Sequence, residues 1–299
     1  MNPPAERVTF YNNGIHFIRS IARRKLRADD SHVLYRFPEL VVTPSTAGLL
    51  TELDNGILRL TFNRPERMNA ADFETMKSLI AAVTDAGDNP DVRTIVITGA
   101  GRAFCTGADL AAVTTTPTDP QIVMDTANTV IRAITSTSVP VIAAVNGPAA
   151  GVGVSIALAA DLTYAAESAY FLMSFVNIGL MSDGGASALI PAAIGRARAA
   201  EMLLLGERLS ATDAAHFGLV AKTLPDDQFA AHIESVAKRT SAAPRRALQL
   251  TKAALNAATL DRIDSALELE KAGQAELLVG ADFAEGATAM LQKRAPHFK

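Results

Sequence analysis

Two glycine-bearing segments have the residue types to do chemistry with the backbone. They are Ala103-Phe104-Cys105-Thr106-Gly107-Ala108-Asp109-Leu110 and Asn146-Gly147-Pro148-Ala149-Ala150-Gly151-Val152-Gly153-Val154-Ser155. Each follows an apolar run with strand character. Glycine at a strand-to-helix junction lets the chain approach a ligand closely, and the first helical residues carry N–H groups with no partner inside the helix. Two such segments side by side can aim two N–H groups at one oxygen, which is an oxyanion hole. Dinucleotide binding is the rival chemistry, but neither segment has the G-x-G-x-x-G order.

The nucleophiles and metal ligands are less promising. Cys105 is the chain's one cysteine and has no histidine beside it in sequence, so it reads as a small buried filler. Ser155 has no evident base and reads as a small packed helix residue. His16, His32, His216, His232 and His297 all lie outside the two segments. His216 falls on an apolar helix and reads as a core or interface residue. No His/Cys/Asp set clusters with metal-ligand spacing, so no metal site is expected.

The elements that must position these segments alternate. Strands are expected at Gly56–Phe62, Thr94–Thr98, Val141–Val145, Leu162–Ala165, Tyr170–Met173 and Leu219–Ala221. Asn69 is expected to cap a helix whose apolar face is Phe73, Met76, Ile80 and Val83. A second helix, Asp119 to Thr137, is expected to bury Ile122, Val123, Ala127, Val130, Ile131 and Ile134. A third runs from Val152 to Ala160. After Gly195 the pattern turns mostly helical: Ala197–Leu205, a capped helix opening at Ser210-Ala211-Thr212-Asp213, Phe229–Thr240, Pro244–Ala257, Leu260–Leu278 and Phe283–Lys293. The alternation points to an α/β fold.

Composition sets the bounds. The chain has 299 residues, 49% hydrophobic and 20% charged, with a net charge of −3. That is enough to bury a core without staples, and it argues against disorder and against nucleic-acid binding by bulk positive charge. A single cysteine excludes a disulfide framework within the chain and fits a reducing, cytoplasmic compartment. No apolar run reaches membrane-spanning length. Residues 1–48 differ from the rest: Arg19, Arg23, Arg24, Lys25 and Arg27 cluster, with Ile15, Ile18, Ala22 and Leu26 at helical spacing. The segment 15–27 reads first as a solvated extension, with a basic amphipathic helix that touches a membrane surface or serves as an organelle-targeting peptide as the alternatives.

From Leu49 to Phe298 the sequence resembles the crotonase, or enoyl-CoA hydratase/isomerase, superfamily. The likeness rests on Asn63-Arg64-Pro65 with Asn69-Ala70, on Phe104 to Leu110, on Pro140 to Gly153, and on the closing Asp282-Phe283-Ala284-Glu285-Gly286 to Lys293-Arg294-Ala295-Pro296-His297-Phe298. It implies a spiral of ββα turns over 49–224 and a helical oligomerisation region over 225–299, building trimers or dimers of trimers. It also implies acyl-CoA thioester substrates, with coenzyme A as part of the substrate and no separate cofactor. Thr106 and Val152 stand where the family's two backbone oxyanion donors lie. Lys293 stands where relatives contact CoA. The nucleotide is expected against Arg64–Ala70 and Gly101-Arg102-Ala103, so Arg64, Ala70, Arg102, Ala103 and Lys293 are the candidate CoA residues.

The departures matter most. Hydratases of the superfamily use two glutamates, and here those positions hold Ser155 and Phe175. Phe175-Val176-Asn177-Ile178-Gly179-Leu180-Met181-Ser182-Asp183-Gly184-Gly185 resembles instead the branch with an aspartate before paired glycines. In isomerases of that branch the aspartate carries one proton along the acyl chain. Asp183 is thus either the catalytic shuttle or the cap of a helix starting at Gly184, and Asp109 is expected to close its loop. Dehalogenation needs a histidine and a tryptophan, and the chain has no tryptophan. The expectation is Δ3-Δ2-enoyl-CoA isomerisation in fatty-acid metabolism, with enoyl-CoA hydration and non-catalytic acyl-CoA binding as alternatives.

Overall fold

The computed structural model describes residues 48–109 and 119–299. The basic segment 15–27 and Leu110 lie outside the described residues. Strands β1 (Leu49–Asp54) and β2 (Ile57–Phe62) form an antiparallel hairpin. Its two-residue turn is Asn55-Gly56, both at positive φ, as a tight hairpin turn requires. Parallel to β2 run β3 (Thr94–Gly99), β4 (Val141–Val145), β6 (Leu162–Ala166) and β9 (Lys222–Leu224), giving a six-stranded sheet in the order β1-β2-β3-β4-β6-β9. A second sheet holds β5 (Ala149–Ala150), β7 (Tyr170–Leu172) and β8 (Arg208–Ser210). A bridge from Cys105 to Ala149 extends it toward the first glycine-bearing segment. Successive turns of chain add a strand to the large sheet and then to the small one, followed by a helix. This is the expected ββα spiral.

The strands are continuous apolar runs because both faces of the large sheet are covered. Alternate residues serve opposite faces. Ile95, Ile97, Val141, Ala143 and Val145 pack with helices α1 (Phe73–Asp88), α2 (Pro120–Ser136) and α3 (Val152–Ala159). Val96, Ile142 and Ala144 pack with Phe229, Ile233 and Val236. Those three residues belong to α6 (Asp226–Ala242), which follows α4 (Ala186–Leu205) and α5 (Ala211–Phe217). Helices α7 (Arg245–Thr259), α8 (Ile263–Leu277) and α9 (Ala281–Leu291) complete the described chain. Packing therefore runs across residue 225, since α6 belongs to the sheet.

Several local expectations shift. Asp72, not Asn69, caps α1: its carboxylate accepts the Thr75 N–H. The buried face of α1 is Thr75, Met76, Leu79, Ala82, Val83 and Ala86, while Phe73 is exposed. On α2, Ile122 is exposed. Leu219 and Val220 are buried but lie in the turn before β9, which begins at Lys222. An apolar run reports burial, and here burial belongs to a turn. His216 is exposed rather than in the chain's core. Ser210 does cap α5, accepting the Asp213 N–H. The expected Ala197–Leu205 helix is the second half of α4, which starts earlier, at Ala186, and is kinked at Gly195 with a φ of 74° and ψ of 163°.

Candidate active site

Both glycine-bearing segments leave the carboxyl ends of neighbouring parallel strands, β3 and β4, where open α/β sheets place ligands. Two asparagines brace the first of them. Asn69 Nδ2 donates to the carbonyls of Ala100 (2.9 Å) and Ala103 (2.7 Å), and its Oδ1 accepts the Arg64 N–H. Asn146 Nδ2 donates to the Gly101 carbonyl (3.0 Å) while its Oδ1 accepts the Gly99 N–H. Asn69 sits at a φ of 57°, a left-handed conformation that asparagine tolerates.

The segments touch where the expected donors lie. Gly151 has a φ of 53°, and a Cβ there would lie 3.6 Å from Gly107 Cα and 3.6 Å from Phe175 Cζ. Thr106 and Val152 flank this contact. Val152 opens α3, so its N–H has no helical partner. Among the described residues neither the Thr106 nor the Val152 N–H donates a hydrogen bond. The Thr106 hydroxyl is occupied, donating to the Met68 carbonyl. Two backbone donors are thus free on two abutting segments.

Asp183 stands against the second segment. The next residue, Gly184, has a φ of 67°, and a Cβ there would lie 2.8 Å from Ser155 Cβ and 3.5 Å from Val152 Cγ2. Ser155 Oγ donates to the Asp183 carbonyl at 2.9 Å. The Asp183 carboxyl is buried, and its Oδ2 accepts a bond of 2.8 Å from Gln274 Nε2 on α8. Its Oδ1 has no partner in the protein, and neither has Gln274 Oε1. Burial pushes the Asp183 pKa up to about 7; the Gln274 hydrogen bond opposes this and the charge of Glu270 adds to it.

Asp183 is not a helix cap. Helix α4 begins at Ala186, and Glu270 caps it from α8: its carboxylate accepts the N–H groups of Gly185 (2.6 Å) and Ser187 (2.8 Å) and the Ser187 hydroxyl. Sequence reading missed Glu270 and Gln274, which lie 83 to 91 residues from their partners. The available signal was a polar pair at i and i+4 on a helix face that also carries buried Leu267.

The remaining candidates are dispersed. Arg64 donates to the Ala70 carbonyl (2.7 Å) and to Asp109 (2.8 Å), and Arg67 also pairs with Asp109. Asp109 thus closes its loop, and Arg64 is committed within the protein. The Ala103 carbonyl is occupied by Asn69. Arg102 is exposed, with Nε 2.9 Å from Met68 Sδ. Lys293 is exposed beyond α9 at a φ of 55°, and among the described residues it makes no ion pair. Cys105 is fully buried, which pushes its thiol pKa up to about 12 and leaves it inert. Ser155 is likewise buried. Among the described residues no His/Cys/Asp/Glu group could hold a metal ion.

Fold and site together define the crotonase class: a ββα spiral with free backbone donors on two abutting loops. Residues 52–299 match the enoyl-CoA hydratase/isomerase family model, and the chain belongs to that family. The 1,2-epoxyphenylacetyl-CoA isomerase of Escherichia coli is 36% identical over 255 residues, covering 84% of this chain and 97% of the relative. Among solved structures, an enoyl-CoA hydratase from Mycobacterium avium subsp. paratuberculosis is 44% identical with a TM-score of 0.80, covering 86% of this chain and all of that one. A monofunctional enoyl-CoA isomerase from M. smegmatis is 36% identical with a TM-score of 0.62, covering 72% and 94%.

Proposed function

We propose that the chain catalyses Δ3-Δ2-enoyl-CoA isomerisation with Asp183 as the proton shuttle. One observation carries this reading: Asp183, a buried carboxyl with an unpartnered oxygen, immediately precedes Gly184, which packs against Ser155 and Val152, while the positions of the hydratase acids hold Ser155 and Phe175. The thioester oxygen sits between the N–H groups of Thr106 and Val152. Asp183 takes a proton from C2, and the electrons of that C–H bond pass to the thioester as an enolate. As the C3–C4 double bond shifts to C2–C3, the same carboxyl returns the proton to C4. No water is added and no further cofactor is consumed. For the CoA moiety we assign the segment bearing Ala70, the Arg102-Ala103 turn and Lys293, with Arg64 holding that segment in place through Asp109.

The test is a side-by-side assay of 3-enoyl-CoA isomerisation and 2-enoyl-CoA hydration, on the parent and on Asp183→Asn. Loss of a general base costs about 10²–10⁴ in rate. The parent is expected to isomerise, and Asp183→Asn to lose isomerisation by that order while retaining CoA affinity. The hydratase named above, at 44% identity, favours a second reading. Rapid hydration by the parent, undiminished in Asp183→Asn, establishes that reading instead.

A further inference from the structure

Helix α8 brings two buried polar side chains, one turn apart, to the Asp183 loop. Gln274 donates to Asp183 Oδ2, and Glu270 gathers the N–H groups of Gly185 and Ser187, two and four residues further along. Both are about 1% exposed, so water competes little for these bonds. We propose that Glu270 and Gln274 are positioning residues for Asp183: Glu270 fixes the backbone of its loop, and Gln274 anchors Oδ2 so that Oδ1 is the oxygen that exchanges a proton with the substrate. The assignment rests on the isomerase reading for its function, but the geometry stands apart from that reading.

The unequal treatment of the two carboxylate oxygens is the main observation. A carboxylate that must take a proton at one carbon and return it at another needs one oxygen held and one free. Asp183 has that asymmetry, with Oδ2 bonded and Oδ1 bare in a buried site. Gln274 Oε1 is also without a partner in the protein.

The two residues act on the charge of Asp183 in opposite directions. The Gln274 N–H favours the ionised form, and the negative charge of Glu270 disfavours it. Other charged groups nearby are engaged at the surface: Lys271 with Asp125, and Asp264 and Glu268 with Arg132. Helix α3, the first turns of α4 and residues 175–182 carry no charged side chain. The balance at Asp183 is therefore set largely from one face of α8.

The test uses the full chain with Gln274→Met, which keeps bulk and removes the donor, and Glu270→Gln, which keeps a cap acceptor and removes the charge. The protonation of Asp183 is followed directly by the infrared band of its protonated carboxyl, assigned by its loss in Asp183→Asn. In parallel, kcat and KM for a 3-enoyl-CoA are measured from pH 5 to 9. Gln274→Met is expected to move the Asp183 midpoint upward by about one pH unit, and Glu270→Gln to move it downward. At pH 6 kcat for Gln274→Met then falls about tenfold with KM little changed, and the deficit narrows toward pH 9. Midpoints that stay put, or that both move the same way, overturn the proposal. So does a loss that is equal at every pH. Should Glu270→Gln fail to fold, Gln274→Met alone decides. A parent that does not isomerise defeats the functional reading, and the infrared midpoints still decide the positioning.

Discussion

At pH 6 most Asp183 carboxyls hold a proton and at pH 8 most do not, because burial moves the midpoint to about 7. A base must be ionised, so kcat/KM for isomerisation is expected to rise through pH 7 and level off above it. The same shift has a stability consequence of defined sign. The folded-state pKa lies above the unfolded value, so the stability this group contributes is full below about pH 4 and is lost as pH rises through 7. Asp183→Asn is therefore expected to resist urea better than the parent at pH 8, by up to about 4 kcal/mol, and to match it at pH 4. An equal difference at both values would show that the effect is packing and not charge. The oxyanion donors follow a different logic, since they are backbone groups. Thr106→Ala is expected to keep activity, whereas Thr106→Pro removes the N–H and costs on the order of 10²–10³ in kcat. Comparable losses in the two variants would count against the assignment.

Helices here are held at their ends by residues far away in sequence. Helix α2 ends at Ser136, and α7 closes that end: Lys252 Nζ donates to the carbonyls of Ile134 (3.1 Å) and Val139 (3.3 Å), and Asn256 Nδ2 to that of Thr135. Lys252 also pairs with Asp161 at 2.8 Å, beside the β4 N-terminus where Asp161 accepts the Val141 N–H. Burial outweighs attraction for both partners, lowering the pKa of Lys252 and raising that of Asp161. Removing one member of such a pair strands the other. Lys252→Met is expected to cost about 3–5 kcal/mol in chemical unfolding, far more than Leu255→Ala on the exposed face of the same helix. A cost below that of Leu255→Ala would mean that α7 docks by its apolar contacts alone. At this scale the element types were legible and the anchors were not. Asn69 looks like a helix cap because it precedes an apolar period, yet its hydrogen bonds go to a loop some 30 residues on.

For the whole molecule, the described helices leave apolar surface that one chain does not cover. Leu250 and Leu255 on α7 and Leu269 on α8 are exposed, and so are Met290 and Leu291 on α9. No helix among the described residues is long and apolar enough to cross a membrane. A second copy is the simplest cover for such faces, and the protein is expected to sediment as a trimer or a dimer of trimers at micromolar concentration. A monomer under those conditions would refute this. Replacing Leu250, Leu255 and Leu269 together by serine should dissociate the assembly if these faces form the contact.

The sequence by itself determined the alternation of strand and helix, the two glycine-bearing segments, the helix cap at Ser210, and the family motifs. These are local properties: side-chain period, turn chemistry and backbone freedom act over a few residues. The tertiary structure decided what the carboxylates do. Asp183 and Asp109 are the same residue type, each near a glycine. One became a loop clasp because Arg64 and Arg67 reach it, and the other a buried acid because α8 closes over it with Gln274 and Glu270. Charge and proton affinity depend on burial and on partners brought in from distant parts of the chain, and no local pattern encodes that distance.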